Sequence, residues 1–270
     1  MTSVDQGGPP LLTTDGAVTT IRLNRPRQMN KLTATDLAVL SEHFASVERG
    51  GARVLIVTGE GRAFSAGYDL GDIAARAARA VASEEDVPES GFQSVVNQLE
   101  NLAMPTICRL NGGVYGGATD LALACDFRIG VDTCEMFMPA ARLGLHYYSS
   151  GLIRFTSRLG VAAAKKLFLT GQKLDAAEML RIGYLDETVP AGDLDARVQE
   201  LAAVLAANAP VAMRGMKRAI NQIARSEFDA AAADHRYRES LAGVELREGS
   251  TAFAEKRAPR FGSQPRSESR

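Results

Sequence analysis

The spacing of apolar residues divides the chain at about residue 149. Residues 17–26, AVTTIRLNRP, alternate apolar and polar side chains as a half-buried strand does, and Pro26 closes the run. Residues 32–48 change to helical spacing, with Leu37, Leu40, His43 and Phe44 on one face and Thr33 or Thr35 placed to cap the start. Residues 52–59, ARVLIVTG, are continuously apolar, which predicts a strand covered on both faces. PTICRLNG (105–112) and FRIGV (127–131) repeat that pattern. Between 72 and 92 the chain turns alanine-rich, then acidic, and is broken by Pro88, which predicts a short helix followed by a mobile loop. Beyond 149 nearly every segment has helical spacing, and only YLDETVP (184–190) reads as extended. The pattern predicts an α/β core with a helical C-terminal portion. Residues 1–12 and 262–270 are expected to be disordered, 13–200 to form the core and 201–261 the helical region.

Composition narrows the function classes. The 270 residues carry a formal net charge of −1, with 46% apolar and 23% charged side chains, which is ordinary globular usage. No basic block reads as a nucleic-acid stripe. No apolar run is long enough to span a bilayer, and no charged-then-apolar leader opens the chain. Cys108, Cys125 and Cys134 have no metal-ligand spacing and fit buried thiols in a reducing compartment, so a cytoplasmic location is expected.

Two glycine-rich stretches carry the candidate chemistry: GRAFSAGYDLGD (61–72) and NGGVYGGATDLALACD (111–126). Each follows a buried-strand pattern. Small residues there let a ligand approach the main chain closely. Two N–H groups aimed at one point would stabilise a developing negative oxygen, and losing one such donor raises a barrier by about 3 kcal/mol. Tight packing turns are the alternative. No G-x-G-x-x-G, phosphate-loop lysine, G-x-S-x-G or H-E-x-x-H pattern is present.

The chain resembles the crotonase, or enoyl-CoA hydratase/isomerase, family. AFSAGYDL (63–70) is similar to its A-F-x-A-G-x-D-L segment, and residues 111–130 to its N-G-x-x-x-G-G-G-x-E-L-A-x-x-C-D segment. STAFAEKRAPRF (250–261) resembles its closing A-F-x-E-K-R-x-x-x-F, and RLNRPRQMNKL (22–32) its early x-L-N-R-P-x-x-x-N-A-L. The resemblance implies an α/β fold, a crotonase-like spiral of β-β-α units with a C-terminal helical trimerisation region. It also implies a homotrimer or a hexamer made of two trimers. The implied ligand is an acyl-CoA thioester whose oxygen is held by the N–H groups of Tyr68 and Gly117. Coenzyme A would be part of the substrate, with no separate cofactor, metal, nucleic acid or membrane partner.

The family's hydratases use two glutamates. The first aligns with Asp120, one methylene shorter, which is either a base acting through water or a buried acid at a helix start. The second aligns with Ala140, and no Asp or Glu occurs from 136 to 174. That segment keeps Arg142, His146, Tyr147, Tyr148, Ser149 and Ser150. LGLHYYSSG is similar to the segment of methylmalonyl-CoA decarboxylase-like members, which implies a tyrosine near the reacting group at Tyr147; a packed aromatic is the alternative. His146 is either an acid–base group or structural. Asp69 fits a local turn. Arg62 could meet a coenzyme phosphate, Ala66 lies in the ligand-binding stretch, and Phe253 and Lys256 match the closing motif that reaches the adenine-phosphate end. Surface or packing roles are the alternatives. The expectation is an acyl-CoA enzyme, an enoyl-CoA hydratase-like lyase. A decarboxylase, a weakly catalytic acyl-CoA scaffold and a hydrolase of C–C bonds in free diketones are the alternatives.

Overall fold

A computed structural model describes residues 7–82 and 91–262. The expectations for 1–6, 83–90 and 263–270 lie outside the described residues. Residues 7–12 depart from the expected disorder. Gly8 N–H donates to Asn24 O at 2.6 Å, and β1 (Leu11–Asp15) pairs antiparallel with β2 (Val18–Leu23). β1 is an exposed edge strand and lacks the one-sided burial that makes a strand legible.

Helix α1 (Ala34–Gly50) starts at Thr33, whose side chain accepts from Asp36 N–H while the Asp36 carboxylate accepts from Thr33 N–H at 2.9 Å. This reciprocal box selects Thr33 over Thr35 as the cap. After it come β3 (Val54–Gly59), β4 (Ala63–Ser65), α2 (Leu70–Ala82) and α3 (Gly91–Asn101). The same order then recurs twice, as β5 (Thr106–Leu110), β6 (Gly113–Tyr115) and α4 (Ala118–Ala124), and as β7 (Phe127–Val131), β8 (Glu135–Phe137) and α5 (Ser149–Lys165). The long strand of each unit enters a large sheet of order β1-β2-β3-β5-β7-β10, parallel from β2 onward. The short strand enters a second sheet, in which β4, β6 and β8 run parallel. This is the expected β-β-α spiral.

The short strands were not legible because three residues give no periodicity. Helix α3 was also missed: it begins at Gly91, inside the expected loop.

β9 (Leu174–Asp175) closes the small sheet antiparallel to β8. Next are α6 (Ala176–Arg181), β10 (Glu187–Val189) and α7 (Leu194–Ala207). Helix α7 packs on β3, β5 and β7, so the expected boundary at 200 falls inside a core helix. The outlying part is α8 (Pro210–Ala224), α9 (Ala230–Leu241) and α10 (Val244–Ala254). Of these three helices, only Ala252 is buried. They leave Val211, Met216, Ile220, Tyr237, Val244 and Leu246 exposed. All three cysteines are free and buried, and burial raises the Cys134 thiol to about 11.

Candidate active site

The two glycine stretches meet because β4 and β6 are parallel neighbours, with Ala63 beside Gly113 and Ser65 beside Val114. The segments leaving their C-terminal ends are therefore adjacent. Gly67 has φ +91°, and a Cβ there would lie 2.6 Å from Tyr115 O and 3.0 Å from Gly117 N. Only glycine permits both this conformation and this approach. The Gly117 N–H has no hydrogen-bond partner among the described residues, whereas its neighbour Gly116 N–H donates to Phe137 O at 2.8 Å.

Residues 66–69 are fastened to the turn after β2. Ala66 N–H donates to Met29 O at 2.6 Å. Leu32 N–H donates to Gly67 O, and Asp69 N–H to Leu32 O, both at 2.9 Å. In this parallel bridge Leu32 faces Tyr68, so the Tyr68 N–H points to the opposite side.

Asn30 organises the turn. Its Oδ1 accepts from Arg25 N–H at 2.9 Å, and its Nδ2 donates to Glu60 O and Ala63 O, both at 2.8 Å. Its carbonyl accepts from Ser65 Oγ at 2.7 Å, and Ser65 Oγ in turn accepts from Gly67 N–H at 3.0 Å. Asn30 thus explains the early LNRPRQMN resemblance. Asp69 has the expected turn role: it accepts from Gly71 N–H at 2.6 Å and pairs with Lys31.

Opposite the amides is a buried charge network. Asp120 is fully buried in the first turn of α4. Its Oδ1 accepts from Arg154 at 2.7 Å. Its Oδ2 accepts from the Tyr148 hydroxyl and from the Tyr147 hydroxyl, the latter at 3.3 Å. Arg154, 2% exposed, also binds Glu100 at 2.9 Å and Asn97 at 2.9 Å. Glu100 further accepts from Arg158 and Arg225, each at 3.1 Å.

Burial alone would raise the Glu100 carboxyl, but Arg154, Arg158 and Arg225 overcome it and hold the group below its usual range. Burial works against the Arg154 charge, and Asp120 and Glu100 more than offset it, so the guanidinium holds its proton more tightly than usual. Burial, then the Asp120 carboxylate, pushes both phenols well above their ordinary range.

Of the two readings of Asp120, this arrangement fits the buried acid at a helix start: each of its oxygens accepts from a fixed donor. Gly151 makes the packing possible, because a Cβ there would lie 2.4 Å from the Tyr147 ring and 2.8 Å from Asp120 Oδ2. Tyr147 is buried against Phe155 and Phe168, with ring centroids at 6.4 and 5.1 Å. Tyr148 is half-buried and faces Phe92 edge-on at 6.4 Å. Phe92 stacks on Tyr68 at 5.6 Å, and its ring lies 2.8 Å from where a Gly117 Cβ would sit. Tyr148, and not Tyr147, is therefore the tyrosine whose ring meets Phe92 on the amide side.

The other expected residues make no hydrogen bond with Asp120, Tyr147, Tyr148 or Arg154 among the described residues. His146 is exposed and, among the described residues, no hydrogen bond or ion pair orients it. Arg62 and Lys256 are exposed, and Phe253 is 87% exposed. Ala140 is buried and supplies no acid. Arg154, Glu100, Asn30 and Phe92 were missed. Arg154 carried one signal: it occupies the buried face of α5 with Gly151 and Phe155, where an arginine must find carboxylates. Among the described residues no group of three or more His, Cys, Asp or Glu side chains is arranged to hold a metal, and no helix is long and apolar enough to cross a membrane.

The β-β-α spiral and the paired amide segments define a crotonase-type protein. The family model described as enoyl-CoA hydratase/isomerase matches residues 13–264, and the chain belongs to that family. It is 34% identical to YngF of Bacillus subtilis over 88% of this chain and 91% of that one. It is also 34% identical to carnitinyl-CoA dehydratase of Proteus mirabilis, over 93% and 97% of the two chains. The structure of an enoyl-CoA hydratase from Bacillus anthracis superposes with a TM-score of 0.84 at 29% identity, covering 95% of this chain and all of that one.

Proposed function

We propose that the protein is an enoyl-CoA hydratase-like lyase that binds an acyl-CoA thioester with its carbonyl oxygen on the N–H groups of Tyr68 and Gly117. Negative charge gathers on that oxygen when a proton leaves the α-carbon or a nucleophile adds to the β-carbon. Two fixed donors favour that state over the neutral carbonyl. The observation that supports this reading is the close approach of the two segments at Gly67, where an added Cβ would lie only 3.0 Å from Gly117 N.

The decisive experiment removes one donor with Gly117→Pro and uses Gly117→Ala as its control. Both add a Cβ against Phe92, but alanine keeps the N–H. Residue 117 has φ −57°, which proline adopts. With an enoyl-CoA panel, the proline variant should turn over about 10²–10³-fold more slowly than the alanine variant. Equal activities would reject the assignment.

A second reading, decarboxylation of a malonyl-type thioester, is favoured by Ala140, which leaves the site without a second acid. It requires a donor for the substrate carboxylate. A homotrimer is part of the same proposal, supported by the apolar side chains that α8–α10 leave exposed. The three free buried thiols support a reducing, cytoplasmic setting.

A further inference from the structure

We infer that Tyr148 is the specificity-determining contact for the acyl group. It accepts a hydrogen bond from a hydroxyl on that group, and Asp120 is the residue that positions it. The inference rests on a thioester bound at the Tyr68 and Gly117 amides. Each phenol owns one O–H: that of Tyr148 goes to Asp120 Oδ2, and that of Tyr147 is shared between Asp120 Oδ2 at 3.3 Å and the Tyr148 oxygen at 3.4 Å. Arg154 occupies Oδ1. The phenol donors are thus turned inward, and what remains at the Tyr148 oxygen is acceptor capacity: one lone pair faces Tyr147 and the other is open.

Of the three side chains bonded to Asp120, Arg154 and Tyr147 are buried and Tyr148 alone is partly accessible. Its ring meets Phe92, which touches both amide segments. The buried network therefore reaches the amide side through this one residue. A phenolate beside the Asp120 anion is disfavoured, so Tyr148 stays neutral and acts as an acceptor. A substituent bearing its own O–H is welcomed there. A carboxylate finds lone pairs and a negative residue behind them, which disfavours malonyl-type thioesters.

Equilibrium binding tests this without turnover if the ligands lack an α-hydrogen. The near-isosteric pair is 2,2-difluorobutanoyl-CoA and its 3-hydroxy derivative. The native protein should bind the hydroxy ligand about tenfold more tightly, the worth of one hydrogen bond. Tyr148→Phe should erase that preference and leave affinity for the unsubstituted ligand within about twofold. Asp120→Asn can donate to the Tyr148 oxygen and so turn the phenol O–H outward; this variant should bind malonyl-CoA more tightly than the native protein does. A purely structural role for Asp120 would produce no such gain.

Equal affinities of the native protein for the pair, a preference that survives in Tyr148→Phe, or no gain for malonyl-CoA in Asp120→Asn would each overturn the inference. Failure to bind butanoyl-CoA at all would instead overturn the thioester reading beneath it.

Discussion

The two walls of the site are made of different material. The amide wall is main chain: two turns held by backbone bonds and by Asn30, with side chains incidental to the chemistry. The acid wall is side chain: Glu100 from α3, Asp120 from α4, and Tyr148 and Arg154 at and within α5, converging from three helices. The first wall tolerates exchange of a side chain such as that of Tyr68, because the N–H stays. The second depends on its shared cation, since Arg154 joins the Asp120 and Glu100 carboxylates.

Arg154→Met should produce the largest effect. It strips two buried carboxylates of their shared cation and is expected to cost about 3–5 kcal/mol, read as a lower urea midpoint. A stability unchanged from native would mean that the remaining donors satisfy both carboxylates without Arg154. Gly151→Ala comes next. Its Cβ would overlap the Tyr147 ring, and about 1–3 kcal/mol of overpacking is expected. The near-ultraviolet tyrosine signal should change with it, whereas a silent substitution would show that the two tyrosines can move apart freely.

Acid sharpens the comparison further. The Glu100 carboxyl is held below its ordinary value near 4.5, so its contribution to stability is complete above that pH and is lost as pH falls through the lower folded value. The denaturant midpoint should fall over that range. Glu100→Gln should flatten this limb, and an identical slope would place the acid sensitivity elsewhere. The smallest effect is expected outside both walls: Thr33→Ala should cost about 1 kcal/mol through the α1 cap and leave kcat unchanged. A fall in kcat would mean that the cap communicates with the amides.

The same contrast decides what was legible in the sequence. Glycine runs mark places where backbone approaches backbone, so the two stretches could be singled out; the family resemblance implied Tyr68 and Gly117 within them, and the parallel strands β4 and β6 bring their segments together. Long buried strands such as β3 were readable from unbroken apolar runs. Short strands were not, since three residues carry no period. The acid wall was half-legible. Asp120 announced itself as a lone acid, but its environment comes from residues up to 34 positions away, such as Arg154. Nothing local says that both carboxylate oxygens will be occupied. Tyr147 and Tyr148 differ by one position, and helix packing, not spacing, decides which of them faces Phe92.

Asn30 has a consequence for how the protein could fail. Its side chain and carbonyl set the path of residues 60–67, and so the aim of an N–H it never touches. Misplacing a catalytic group by about 1 Å can cost on the order of a hundredfold in rate. A lesion at this asparagine would leave every ligand-contacting atom present and the coenzyme still able to dock. Yet the catalyst would be slow, for the same reason that a lens slightly out of its mount still passes light but no longer focuses it.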